Sequence, residues 1–146
     1  MKKTIVFDFG AVLIDWNPYY LYRKLLPNDE AIKTFLEEIN FAQINPRIDA
    51  GMRLADWVKE YSQKYPHRGG LIAAYRERFP ESVGDCLQGT VEILYDLKSK
   101  GYPLYGLSNW SDETFPWIKG RFSFIDELDG YLLSGMVGQV KPGEEI

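Results

Sequence analysis

Residues 1–15 read MKKTIVFDFGAVLID, and they decide the fold. Thr4-Ile5-Val6-Phe7 is a run of β-branched and aromatic side chains, the composition of a buried strand. The run stops at Asp8, and Gly10 follows where the chain must turn. In an open α/β sheet, ligands sit outside the carboxyl ends of the strands. A carboxylate at that rim is costly to desolvate without a cation or hydrogen-bond donors. Asp8 therefore reads as a candidate nucleophile or metal ligand.

Beyond this strand the pattern turns helical. Asn17-Pro18 opens a helix, with Asn17 as N-cap and Pro18 in the first turn. Tyr19, Tyr22, Leu25 and Leu26 share a face, and Pro27 ends the helix. Asn28 caps a second helix carrying Ile32, Phe35, Leu36 and Ile39 at helical spacing. Asn45-Pro46 reads as a turn. A third helix is predicted over 54–65 and a fourth over 71–79, separated by Pro66 and Gly69-Gly70. Four helices make a small bundle.

The α/β pattern returns near Gly89. Thr90 is placed to cap a helix bearing Val91, Leu94 and Leu97, with Lys98 and Lys100 in its last turn and Gly101 just beyond. A strand over 104–107 ends in Ser108-Asn109. Ser111 or Asn109 caps a further helix to about Ile118, and a last strand covers 130–133. Strands alternating with helices argue for a parallel, Rossmann-like α/β sheet. The expected division is an α/β core of residues 1–15 and 88–146, with the four-helix insert of 16–87 above its carboxyl edge.

In 146 residues, 45% hydrophobic, there is material for one folded unit with an insertion. A net charge of −4 gives no basic face for nucleic acid. Cys86 is the single cysteine, so no internal disulfide forms, and it reads as a small packed residue. The apolar run after Lys2-Lys3 is too short for a signal peptide, and no stretch has membrane-spanning length. A cytoplasmic protein is expected.

A parallel sheet brings Asp8, Ser108-Asn109 and Lys141 to one edge: a carboxylate, a hydroxyl with backbone amides, and an ammonium. Such a set can hold and attack a phosphate dianion, with Asp as covalent nucleophile and fixed donors on the equatorial oxygens.

These residues resemble the haloacid dehalogenase superfamily, in its branch with a helical cap after the first strand. The matching stretches are Phe7-Asp8-Phe9-Gly10-Ala11-Val12-Leu13, Leu107-Ser108-Asn109-Trp110-Ser111 and Lys141-Pro142, and the likeness runs over the whole chain. The resemblance implies Asp8 as nucleophile and Mg2+ ligand, with the Gly10 carbonyl as a second ligand. It implies Ser108 and the Asn109 amide on the phosphoryl oxygens, Lys141 as charge neutraliser, and a cap that selects the substrate. The implied activity is a Mg2+-dependent phosphatase of small phosphate monoesters, working through an aspartyl-phosphate.

Two departures stand out. Phosphatases of this family carry a second Asp two residues after the nucleophile, as general acid; this sequence has Gly10, with Asp15 as a possible substitute. The family also continues into a fourth strand and an acidic motif that completes the metal site. Only Glu144 and Glu145 follow Lys141 here, so a truncated chain with impaired turnover is expected, and the open sheet edge offers a surface for self-association. Two alternatives remain open: a metal-independent 2-haloacid dehalogenase, and an inactive fragment or interaction module. Trp110 reads either as a wall of the site or as packing. Arg47, Asp49 and Arg53 read first as a solvated face of the cap, with reach to the substrate as the alternative, and His67 as a solvated loop residue.

Overall fold

The computed structural model describes residues 2–146. In chain order it runs β1 (Ile5–Phe7), β2 (Ile14–Trp16), α1 (Pro18–Tyr22), α2 (Asp29–Glu38), α3 (Phe41–Asp49), α4 (Leu54–Lys64) and α5 (Gly69–Glu77). It continues through β3 (Val83–Cys86), α6 (Gln88–Ser99), β4 (Leu104–Ser108), α7 (Phe115–Lys119), β5 (Gly130–Leu133) and α8 (Ser134–Val137). The main sheet is parallel, in the order β1-β4-β5. Its β1–β4 register pairs Phe7 with Gly106, which brings Asp8 and Ser108 out together at the carboxyl edge.

Gly106 is required by this pairing. A Cβ there would lie 2.5 Å from the ring of Phe9, which crosses over β4 and is fully buried. Phe9 stacks on Phe115 at 5.3 Å, and aromatic contacts continue through Trp110 and Phe79 to Tyr75 and Phe41. This file of rings, mostly edge to face, ties the inserted helices to the sheet.

The insert corrects the sequence reading in three places. It holds five α-helices rather than four, because Asn45-Pro46 lies inside α3. Pro46 removes the bond to the carbonyl four residues back, but that residue, Ala42, is exposed and water can serve it. Gly69 and Gly70 begin α5 instead of separating helices. The insert is also entered and left through strands: β2 and β3 form a two-stranded antiparallel ribbon, with Ile14 opposite Cys86 and Trp16 opposite Val83.

Cap positions differ as well. Asn17 and Asn28 cap as expected, accepting from the Tyr19 and Ala31 amides at 2.9 Å. Thr90 does not cap α6: it sits inside the first turn, and Leu87 holds the cap position. Thr114 rather than Ser111 or Asn109 precedes α7, while Ser111 Oγ accepts from the Glu113 amide at 3.1 Å.

Polar contacts fasten the insert to the core, among them the Arg121 guanidinium, which donates to the Pro80, Val83 and Gly84 carbonyls. Arg53 pairs with Asp112 at 2.9 Å. Glu113 accepts from the Leu54 amide at 2.9 Å, placing a negative charge at the start of α4. Ser134, fully buried, accepts from the Trp110 amide at 2.9 Å and donates to the Asp49 carbonyl at 2.5 Å. No helix among the described residues is long and apolar enough to cross a membrane.

Candidate active site

Asp8 leaves β1 at the carboxyl edge, and a tight turn follows it. The Phe9 carbonyl accepts from the Leu13 and Ile14 amides at 2.9 and 2.8 Å, and the Ala11 amide donates to the Ile14 carbonyl. Ala11 takes a left-handed conformation, φ 60°, which is strained for a residue with a Cβ. The turn sends the chain straight into β2 and leaves Asp8 at the rim.

Three groups converge on the Asp8 carboxylate. Oδ1 accepts from the Phe9 amide and from Ser108 Oγ, each at 2.8 Å. Oδ2 accepts from Lys141 Nζ at 2.6 Å. Lys141 Nζ also donates to the Leu107 carbonyl at 2.9 Å, so its ammonium is fixed by two bonds. Three of the roughly four acceptor positions of a carboxylate are thus filled, and Oδ2 keeps one. Asp8 and Lys141 remain partly open, with side chains 38% and 29% exposed, which leaves room for a ligand to approach.

The Asn109 side chain has a role of its own, apart from the backbone amide expected to face the phosphoryl oxygens. It clasps the backbone of Lys141: Oδ1 accepts from the Lys141 amide at 2.7 Å, and Nδ2 donates to the Lys141 carbonyl at 3.0 Å. No sequence signal distinguished this role, because it depends on a loop 32 residues away. Trp110 is buried, and its indole donates to Thr114 Oγ1 at 3.2 Å. Trp110 both packs and lines a cavity next to the turn at Gly10.

Asp15 is not gathered into this cluster. It sits on the β2–β3 ribbon, where Oδ2 accepts from the Tyr20 hydroxyl at 2.6 Å. Gly84 opposite makes the space for it, since a Cβ there would fall 2.8 Å from that same oxygen. Among the described residues no cluster of three or more His, Cys, Asp or Glu side chains forms a metal cage. Mg2+ is commonly held by one or two carboxylates together with substrate phosphate and waters, and the free position on Asp8 with the Gly10 carbonyl fits that mode.

The sequence reading placed Asp49 on a solvated face, and the structure does not. Asp49 lines the cavity of about 90 Å3 between the insert and the core, with Asn45, Trp16, Gly10, Asn109 and Trp110. Asn45 Nδ2 donates to its Oδ2 at 3.1 Å. Burial pushes its carboxyl up to about 7.

Two crystal structures of a HAD family enzyme from Bacteroides thetaiotaomicron match 99% of this chain and 74% of theirs, each with a TM-score of 0.68. This chain has the haloacid dehalogenase-like fold. Sequence identity to them is 19% and 20%; one is an aspartate-to-alanine mutant in complex with magnesium and inorganic phosphate. No protein-family model matches the chain. Probable glycine dehydrogenase (decarboxylating) subunit 2 proteins of Francisella tularensis and Francisella philomiragia are 24% identical over 110 residues. The chain spans 23% of the length of those relatives, and the similarity gives no substrate to the haloacid dehalogenase-like site.

Proposed function

We propose that the chain is a Mg2+-dependent phosphatase of a small phosphate monoester, working through a phosphorylated Asp8. The observation that carries this reading is the Asp8 carboxylate held between Ser108 Oγ and Lys141 Nζ at one sheet edge. The magnesium and phosphate bound by the similar Bacteroides enzyme support it.

In this reading Asp8 attacks phosphorus in line with the leaving oxygen. The carboxylate is aimed by three donors, which lowers the cost of orienting it. Lys141 lies where negative charge gathers between nucleophile and phosphoryl group, and Ser108 Oγ and the Asn109 amide serve the equatorial oxygens. Mg2+ held by the Asp8 carboxylate and the Gly10 carbonyl supplies further positive charge for those oxygens. Asn109 keeps Lys141 in place through its backbone, so it is a positioning residue as well. Residues 16–87 form the cap over a core of 1–15 and 88–146, and the cap cavity selects the alcohol part of the substrate.

The test is phosphate release from a panel of phosphate esters, with and without Mg2+, beside halide release from 2-chloropropionate. Metal-dependent phosphate release, abolished in Asp8→Asn, supports the reading. Metal-independent halide release, or no product from either class, contradicts it.

A further inference from the structure

An aspartyl-phosphate mechanism needs a proton for the departing alkoxide, and position 10 holds a glycine. Nothing fills the gap locally. A Cβ built on Gly10 would meet only the ring of Trp110, at 3.9 Å, so the space facing the turn is open. Asp15, five residues on, is committed to Tyr20. The open space belongs to the cavity between cap and core, and the carboxyl lining that cavity comes from the last residue of α3, Asp49.

We infer that Asp49 is the general acid of this site, delivering from the cap the proton that position 10 cannot supply. The inference rests on the phosphatase reading above.

Several observations converge on it. Asp49 shares the cavity with Gly10 and Asn109, which belong to the turn and loop beside Asp8. Among the described residues its carboxyl has one side-chain partner, Asn45, and no cation pairs with it. A desolvated carboxyl with so little support is a poor stabiliser of the fold compared with an apolar residue of the same size. Its backbone is nevertheless pinned to the core: the Asp49 carbonyl accepts from Ser134 Oγ, which also holds the Trp110 amide. Gly51, at φ 105°, bends the chain immediately after α3 and would bring a Cβ to 3.3 Å from the Gly135 carbonyl. The end of α3 is therefore fixed against the second and third strand ends, not left on a mobile surface. The Tyr75 hydroxyl, on α5, is the titratable group facing Asp49, and burial keeps it neutral. A carboxyl pushed up to about 7 retains its proton near neutrality, the condition for an acid catalyst.

The step balances as follows. An Asp8 carboxylate oxygen forms a bond to phosphorus, and the bond from phosphorus to the alkoxy oxygen breaks with its electron pair going to that oxygen. The Asp49 carboxyl proton passes to the same oxygen, and the alcohol leaves. Water then attacks phosphorus of the acyl phosphate and gives one proton to the Asp49 carboxylate. The bond from phosphorus to Asp8 breaks, and its electron pair restores the Asp8 carboxylate.

The test exploits the leaving group. An alkyl phosphate such as glycerol phosphate expels a strongly basic alkoxide, whereas p-nitrophenyl phosphate expels a stabilised phenolate that leaves without a proton. In Asp49→Asn, kcat on the alkyl ester is expected to fall about 100-fold or more, and on the aryl ester less than about tenfold. Asp49→Glu is expected to recover part of the alkyl activity, and thermal melts of all three proteins show that each is folded. An equal fall on both esters, or no fall on either, overturns the inference while leaving the phosphatase reading intact. Phosphate release from neither ester by the parent protein overturns the phosphatase reading and the inference with it.

Discussion

Asp8 and Lys141 are 133 positions apart in the chain, yet Lys141 Nζ donates to Asp8 Oδ2 at 2.6 Å. The contact closes the carboxyl edge of the sheet, and a second bond from the same ammonium to the Leu107 carbonyl fixes its direction. Both side chains are partly exposed, so the pair contributes little to stability. In the proposed mechanism its weight falls on charge at the site. Lys141→Met is expected to lower kcat for phosphate release about 100-fold, as loss of one transition-state donor does, with an unchanged melting curve. Steady-state kinetics beside thermal denaturation check both halves.

Asn109 holds Lys141 by two backbone hydrogen bonds. Asn109→Ala removes both and frees the segment that carries the ammonium. A misplaced catalytic group costs up to about 100-fold, so a fall of that order or smaller in kcat is expected. In a double mutant with Lys141→Met, the Asn109 effect should largely vanish, because nothing remains to be positioned.

The packing of Phe9 over β4 gives a stability prediction independent of activity. Gly106→Ala sets a methyl group against the Phe9 ring, which is itself wedged between Phe115 and Tyr131. Overpacking of this kind costs about 1–3 kcal/mol. Urea denaturation reads the loss directly, and Gly106→Ala with Phe9→Leu should recover part of it.

Much of this arrangement is legible from sequence, for a physical reason. A carboxylate that interrupts a β-branched run must lie where the strand leaves the core, and Asp8 does. Ser108 follows in the same way as the last residue of β4, whereas Lys141 reaches the edge from the segment beyond β5 and α8. What escaped the reading depends on contacts distant in sequence. The β2–β3 ribbon is built from Ile14-Asp15-Trp16 and Val83-Gly84-Asp85-Cys86, too short to show a period of two. Asn45-Pro46 has the local chemistry of a turn, and only the packing of Ile44 and Ile48 in the core carries the helix through it. Asp49 looks like a surface residue between Arg47 and Arg53 until the core closes over its side. Asn109 looks like a helix cap, and its actual partner is the Lys141 backbone.

Ser134 is another residue that no local pattern marks. Its hydroxyl joins the Trp110 amide to the Asp49 carbonyl in a fully buried position. Ser134→Ala leaves those groups without their partner and is expected to cost about 1–3 kcal/mol. Hydrogen exchange should locate the loosening at the end of α3 and in the loop after β4.

The pH dependence of stability isolates Asp49. Its carboxyl moves from an ordinary value of 3.8 to about 7 on burial. Below the unfolded value both states hold the proton, and the stabilising effect of burying the neutral acid is fully present. Between about 4 and 7 the native state binds more protons than the unfolded state, so stability falls as pH rises, and it levels off above 7. Asp49→Asn cannot ionise. Its stability relative to the parent should therefore improve between pH 5 and pH 8, by on the order of 2–3 kcal/mol. Denaturant titrations of both proteins at the two pH values measure the difference.

The central claim is that Asp8 itself carries the phosphoryl group. A single turnover with a phosphate ester and Mg2+, quenched in acid, followed by mass analysis of the N-terminal peptide, tests it most directly. The account predicts one added phosphoryl group on Asp8, absent without substrate and absent in Asp8→Asn. Phosphate release at an undiminished rate by Asp8→Asn, or turnover by the parent protein with Asp8 unmodified throughout, contradicts it.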